Sequence, residues 1–173
     1  AANDLDIAYE TLAEWLPRAE RYVGTLSGGM DQATSLLARA GHALRIDFFP
    51  LRVRTVPLPP GYSIVVCHSL VQAEKSGAAK QGYNLRVIEC RLACRVMERA
   101  LGARLPRGLQ TLGDLATFFP RRPLVDFLPY LAGQVPDRPL SLAEIASVIG
   151  TSPQRLQQEC DITPAVGDRF TLV

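Results

Sequence analysis

The feature that most constrains the fold is the run YNLRVIECRLACRVMERALG, residues 83–102. Leu85, Ile88, Leu92 and Val96 recur three or four positions apart, and together with Leu101 they are expected near one helical face. Asn84 is expected to cap this helix and Gly102 to end it. The pattern therefore predicts one long amphipathic helix in the middle of the chain, with most of its charged residues away from the apolar face.

Strand-like patterns precede this helix, between about residues 42 and 70. HALRIDFF alternates as a strand does, and RTVPLP is a short strand that its prolines place at an edge. YSIVVCHSL is nearly continuous in apolar residues, which predicts a buried central strand. The next stretch, VQAEKSGAAKQGYN, is polar and rich in Gly and Ala, which predicts a mobile loop. Strands followed by helices indicate an α+β fold.

The segments before the strands and after the long helix are predicted to be helical. Residues 5–22 have helical spacing, and Pro17 is expected to kink or end that helix. Residues 30–40 predict a second helix, ended by Gly41. Short helices follow Leu105, and SLAEIASVIGTSPQRLQQ resembles a helix-turn-helix pair.

Composition excludes several function classes. The 173 residues carry a net charge of +2 from 19 basic and 17 acidic side chains, which favours neither nucleic acid nor an anionic membrane as partner. The four cysteines lack metal-finger spacing, so we expect no metal centre and four reduced, mostly buried thiols of a cytoplasmic protein. No stretch is apolar enough to cross a bilayer.

The segment GTLSGGMDQATSLL holds the first candidate for chemistry. Asp31 is expected at a helix N-terminus, where the helix dipole favours a negative charge. It is either a simple helix-end carboxylate or a group that orients and deprotonates a hydroxyl nucleophile. Gly28 and Gly29 either supply positive φ angles or let a ligand approach the backbone.

Other candidates have equally plain structural interpretations. Lys75 is either a solvated loop lysine or a partner for phosphates, and Tyr83 either packs or faces a sugar. His68 is expected to be a satisfied histidine at a strand end. The arginines of the long helix, interspersed with Glu89 and Glu98, predict a solvated surface with ion pairs.

Three segments occur in an ordered series that resembles a known family: ERYVGTLSGGMDQATSLLARAGHALRIDFFPL, VPLPPGYSIVVCHSLV and GYNLRVIECRLACRVMERALG. They resemble the middle of galactokinases, which are sugar kinases of the GHMP superfamily. The resemblance is continuous over about residues 20–102. It is weaker over 142–172, where it is most similar to the eukaryotic branch that includes N-acetylgalactosamine kinases.

The resemblance implies roles for five residues. Asp31 matches the catalytic aspartate that faces the anomeric hydroxyl of the sugar. Gly28 and Tyr83 match positions beside the sugar, and Glu74 and Lys75 fall where related kinases touch ATP. The expected ligands are thus galactose or N-acetylgalactosamine together with ATP and Mg²⁺.

The resemblance also implies the architecture. We expect an α+β fragment of the GHMP kinase fold that spans the junction of its two lobes. Residues 1–50 would end the N-terminal, ribosomal S5-like catalytic lobe, and residues 51–173 would start the C-terminal lobe with a helical extension. The family's N-terminal sugar signature, its Gly/Ser-rich phosphate loop and its late Gly-rich motif are not found in the 173 residues.

Three hypotheses follow. The first is an ATP-dependent sugar 1-kinase, of which this piece alone is inactive. The second is a non-catalytic sugar and ATP sensor, or pseudokinase, because Ser27, His68 and Glu74 depart from the family pattern. The third is a core fragment without a function of its own, whose exposed strand edges lead it to self-associate.

Overall fold

The computed structural model describes residues 6–20, 22, 26, 28–48, 50–71 and 78–172. The chain divides into two compact units, residues 1–73 and residues 74–173. Helices and strands are both present, so the predicted α+β class is confirmed. No helix in the described part of the chain is long and apolar enough to span a membrane.

The first unit contains two helices and a hairpin. Helix α1 spans Tyr9–Glu20 and helix α2 spans Met30–Leu37. Strand β1, His42–Asp47, pairs antiparallel with strand β2, Arg52–Pro57. Each helix buries an alanine, Ala13 in α1 and Ala33 in α2, which allows close approach of the two backbones.

Pro17 does not end helix α1, and helix α2 is shorter than predicted. Helix α1 continues through Pro17 to Glu20. A proline costs one backbone hydrogen bond inside a helix, but packing of its ring can offset that loss. Helix α2 ends at Leu37 because Ala38 is extended, and Gly41, with φ of 71°, lies in the turn before β1.

The predicted central strand YSIVVCHSL is wrong. Residues 62–69 have no regular secondary structure, and all of them are exposed. The described part of the first unit has one sheet, made of β1 and β2 alone. A central strand needs a neighbour on each side, and apolar composition cannot supply those neighbours.

The second unit is built on one long helix. Helix α3 spans Ala78–Leu101, followed by α4, Asp114–Phe118, and α5, Leu128–Ala132. Helices α6, Leu142–Ile149, and α7, Pro153–Glu159, come next. Strand β3, Leu140–Ser141, pairs antiparallel with strand β4, Arg169–Phe170. Short 3₁₀ helices span Gly102–Arg104, Leu124–Phe127 and Pro164–Val166.

The start of α3 corrects a prediction and its end confirms one. The helix begins at Ala78, so residues 78–84 are helical rather than a mobile loop, and Asn84 lies inside the helix instead of capping it. Alanine, lysine and glutamine are strong helix formers, and this propensity outweighs the polar composition of the stretch. Gly102, with φ of 51°, follows the last residue of α3 as predicted.

The core of the second unit forms around α3. The predicted face is confirmed, since Ile88, Leu92, Val96 and Leu101 are buried and Leu85 packs partly against them. Helices α5 and α6 contact α3 directly. Their contributions to the same cluster include Leu131, Ile145 and Ala146.

The predicted helix-turn-helix pair is present in α6 and α7. Ser141 and Glu144 form a reciprocal capping box at the start of α6, and Gly150, with φ of 80°, ends it. The guanidinium of Arg138, followed by the backbone and hydroxyl of Ser141, lowers the pKa of Glu144 from about 4.5 to about 2. Ser152 accepts a hydrogen bond from the backbone N–H of Arg155 and caps α7.

Candidate active site

The segment Gly28–Asp31 forms the N-terminus of α2. Gly29 is the residue before the helix, in the left-handed conformation with φ of 87°, and as a glycine it has no side chain with which to cap this end. Its carbonyl accepts the first helical hydrogen bond, from the N–H of Ala33 at 3.0 Å. Asp31 is the second residue of the helix and is exposed. The predicted position of Asp31 at a helix start is confirmed.

Gly29 has a structural role. Its φ angle lies where L side chains are strained. A β-carbon at this position would also overlap Cγ of Pro17 and lie 3.3 Å from Cβ of the same ring. Because α1 approaches α2 at this point through Pro17, a larger residue at position 29 would push the helices apart.

Gly28 is different from its neighbour. Its φ angle is outside the left-handed range, and no atom of the described chain lies within 4 Å of the position that a β-carbon would take. Neither backbone strain nor packing in the described chain therefore requires glycine at position 28. The residue is exposed and presents open backbone three residues from Asp31.

Local contacts hold this helix end in place. The side-chain amide of Gln32 donates a hydrogen bond to the carboxylate of Glu20, at the last residue of α1. Ala33 is fully buried on the opposite side of the same turn. Since Gln32 and Ala33 attach α2 to its surroundings, the Asp31 carboxylate projects from a supported helix rather than from a loop.

The other predicted site residues are distributed differently. Tyr83 belongs to the second unit, inside α3, and is 48% exposed. Glu74 and Lys75 lie outside the described residues, and so does Ser27. The structure therefore places Gly28 and Asp31 together on one helix end, and it places Tyr83 in a different unit.

His68 is accounted for by a local turn. Its Nδ1 atom accepts a hydrogen bond of 2.8 Å from the backbone N–H of Leu70, a residue with φ of 60°. The predicted satisfied histidine is confirmed, although it lies in an exposed turn rather than at the end of a strand.

Three of the four arginines of α3 are engaged in ion pairs, in agreement with the prediction. Arg86 pairs with Glu89 at 2.7 Å, Arg91 with Asp161 at 3.1 Å, and Arg95 with Glu98 at 2.8 Å. Three arginines of α3 are therefore paired with acidic side chains of the same unit.

Glu89 is a residue whose role the sequence pattern missed. It is buried, and its second oxygen accepts a hydrogen bond of 2.7 Å from the backbone N–H of Thr171. Its spacing, four positions after Leu85 and three before Leu92, places it beside the apolar face. Nothing in the sequence, however, indicates a partner 82 residues away. Its function here is to attach the segment after β4 to α3.

The cysteines are free, as predicted, but only half of them are buried. Cys67 and Cys90 are exposed, whereas Cys94 and Cys160 are buried. Burial raises the pKa of the Cys94 thiol to about 12 and also raises that of Cys160. Across the described residues, no cluster of three or more His, Cys, Asp or Glu side chains is arranged to hold a metal ion.

Comparison of the sequence with known proteins shows which proteins this chain is similar to. A galactokinase of Dictyostelium discoideum is 49% identical to this chain over 92 residues, which are 53% of this chain and 18% of that protein. This chain is galactokinase-like. A galactokinase of Chloroflexus aggregans is 40% identical over 101 residues, or 58% of this chain and 25% of that protein. The galactokinase of Saccharomyces cerevisiae is 38% identical over 95 residues, or 52% of this chain and 18% of that protein.

The galactokinase-like match confirms the resemblance expected from the sequence. It extends over about half of this chain and corresponds to between 18% and 25% of the length of these relatives. No protein-family model matches the chain.

Proposed function

We propose that this chain supplies the catalytic-aspartate segment of an ATP-dependent sugar 1-kinase. The reaction transfers the γ-phosphoryl group of ATP to the anomeric hydroxyl of galactose or a related sugar. The observation that carries the proposal is an exposed Asp31 at a supported helix N-terminus, three residues from open Gly28 backbone, in a galactokinase-like chain.

Asp31 would act on the sugar hydroxyl. The Asp31 carboxylate lies in the first turn of α2, and a charged carboxylate is a strong hydrogen-bond acceptor. It can therefore orient the hydroxyl and take its proton as the bond to phosphorus forms. Phosphoryl transfer has a loose transition state, so a strong base is not needed early in the reaction.

Gly28 would provide the face against which the sugar lies. No atom of the described residues lies within 4 Å of the β-carbon position of Gly28, which leaves room there, whereas Gly29 is in contact with Pro17. We propose Tyr83, in α3, as a further sugar contact.

Mg²⁺ and ATP do not find a complete site in the described residues. Glu74 and Lys75, the proposed ATP contacts, lie outside them, and the described carboxylates do not group as metal ligands. The proposed roles of Asp31 and Gly28 therefore do not depend on Mg²⁺ or on a phosphate contact of this chain.

In keeping with the family, we propose a GHMP kinase fold, with residues 1–50 in one lobe and residues 51–173 in the next. We also propose a cytoplasmic location.

Substitution of Asp31 in the complete protein that carries these residues tests the proposal. Asp31→Asn keeps the size of the side chain but removes the base, so kcat should fall by about 10²–10⁴ with little change in KM for the sugar. Glu10→Gln is the matched control, because it removes a carboxylate from the first turn of α1. Near-normal turnover by Asp31→Asn would refute the role of Asp31.

The sensor hypothesis makes a different prediction for the same protein. Calorimetry would then show binding of sugar and ATP, but no sugar phosphate would form over a long incubation. Measurable turnover excludes a purely non-catalytic sensor.

We further propose that the 173 residues have no kinase activity on their own, because the family's phosphate loop and sugar signature are not among them. The test is a coupled assay for galactose-dependent ADP release by the purified chain. Release above the background without sugar would contradict this proposal.

A further inference from the structure

We propose that Gln32 is a positioning residue for Asp31. Its hydrogen bond to Glu20 sets the rotation of helix α2 about its axis, and this rotation sets the place of the Asp31 carboxylate. The role rests on the proposed sugar kinase function, and it assigns a task to a residue that the proposed reaction does not otherwise use.

The side chain of Gln32 is engaged with helix α1. Its amide nitrogen donates to Oε1 of Glu20, the last residue of α1, and the side chain is half-buried. A carboxylate acceptor makes such a bond stronger than a bond between two neutral groups. The contacts of Gln32 therefore assign it to the junction of the two helices rather than to a ligand.

Asp31 depends on the same helical turn. Asp31 and Gln32 are consecutive residues near the start of α2, so their side chains leave the helix about 100° apart. Gln32 reaches α1, whereas Asp31 is exposed. Side-chain ends lie about 5–6 Å from a helix axis, so a rotation of α2 by about 10° moves the Asp31 carboxylate by about 1 Å.

The apolar contacts between α1 and α2 constrain this rotation less. The two helices contact each other directly, each with a buried alanine, and Gly29 lies against the ring of Pro17. Apolar packing is non-directional, whereas a hydrogen bond weakens steeply as its angle departs from linear. The bond from Gln32 to Glu20 therefore fixes an angle that small apolar side chains leave loosely defined.

The reaction is sensitive to such a displacement. A shift of about 1 Å in a reacting group can lower a rate by about 10²-fold. Loss of the Gln32–Glu20 bond should therefore lower kcat by about 10-fold to 10²-fold. KM for the sugar should change by less than about threefold, because the displaced carboxylate acts mainly in the transition state.

The test is steady-state kinetics of the complete protein that carries these residues. Gln32→Met and Glu20→Met keep the length of each side chain but remove the donor or the acceptor, so each should lower kcat as stated. The double variant should lose no more than the worse single variant, because both break the same bond.

Two further variants are matched to these. Glu20→Gln keeps an acceptor oxygen at the same position, so its kcat should stay within about threefold of the parent value. Glu14→Met makes the same replacement at an exposed glutamate of α1 and should leave kcat within about twofold.

The Asp31→Asn background separates positioning from folding. If Gln32 acts through Asp31, addition of Gln32→Met to Asp31→Asn should change the remaining kcat, measured at high enzyme concentration, by less than about threefold. A folding defect would instead lower the amount of active protein, and hence the rate, by the same factor in both backgrounds.

The outcomes distinguish this role from the proposed function. A parent-like kcat for Gln32→Met, equal losses with and without Asp31, or equal kcat values for Glu20→Gln and Glu20→Met would each overturn the positioning role and leave the role of Asp31 intact. A parent-like kcat for Asp31→Asn would overturn the proposed function, and the role of Gln32 with it.

Discussion

Replacing Gly29 by alanine should show that this glycine has a structural role that its neighbour Gly28 lacks. The substitution has two costs. A left-handed conformation costs an L-residue about 1–2 kcal/mol, and overlap of the new methyl group with the Pro17 ring costs about 1–3 kcal/mol. Alanine recovers about 0.4–1 kcal/mol by restricting the unfolded chain. We expect a net loss of about 2–4 kcal/mol in the free energy of unfolding of the first unit.

The assay follows from the sequence. Trp15 is the single tryptophan, and it lies on α1, the helix that carries Pro17. Urea unfolding followed by tryptophan fluorescence therefore reports on the first unit. Gly28→Ala is the matched control and should change stability by less than about 1 kcal/mol, because neither its φ angle nor a neighbouring atom opposes a methyl group.

A double substitution separates the steric cost of Gly29→Ala from its conformational cost. In a cycle with Pro17→Ala, the steric part should appear as a coupling energy of about 1–3 kcal/mol, and the conformational part should remain. Equal unfolding curves for Gly29→Ala and Gly28→Ala would refute this account of the two glycines. A coupling energy of zero would refute the contact with Pro17.

Three further outcomes are expected in the second unit. Glu89→Ala should cost about 1–3 kcal/mol and accelerate hydrogen exchange of the Thr171 amide, since this half-buried N–H loses its acceptor. Urea unfolding followed by circular dichroism measures the loss of stability. Because Arg138 holds the pKa of Glu144 below its usual value, the stabilisation by Glu144 is complete above about pH 4.5 and is lost toward about pH 2, and a Glu144→Gln variant should lack this loss in acid titrations. The Cys94 thiol should resist alkylation at pH 8 until denaturant is added, as mass spectrometry would show.

Local sequence signals predicted the parts of the fold that local interactions determine. The apolar face of α3 and the glycine that follows its end were correct, since helical spacing and a left-handed end residue are encoded within a few positions. The position of Asp31 at the start of α2 was correct for the same reason. The register of β1 and β2 was not predicted, but both strands were.

The errors arose where a residue's state depends on distant parts of the chain. The apolar run at 62–70 was predicted to be buried, yet burial requires neighbouring strands that its own composition cannot provide. Glu89 was predicted on a solvated surface, and its acceptor role depends on Thr171, far along the sequence. The sequence alone left open whether Gly29 is needed for backbone conformation or for ligand approach. The contact with Pro17 in the structure shows that it serves packing between α1 and α2.

The central claim is that Asp31 belongs to the machinery of a sugar kinase. Its most direct measurement is phosphorus NMR of the complete protein incubated with ATP, Mg²⁺ and galactose, beside Asp31→Asn and Glu10→Gln variants. We predict a sugar 1-phosphate signal for the parent protein and for Glu10→Gln, and a rate lower by about 10²–10⁴ for Asp31→Asn. The same sugar 1-phosphate formed at the parent rate by Asp31→Asn would contradict the account.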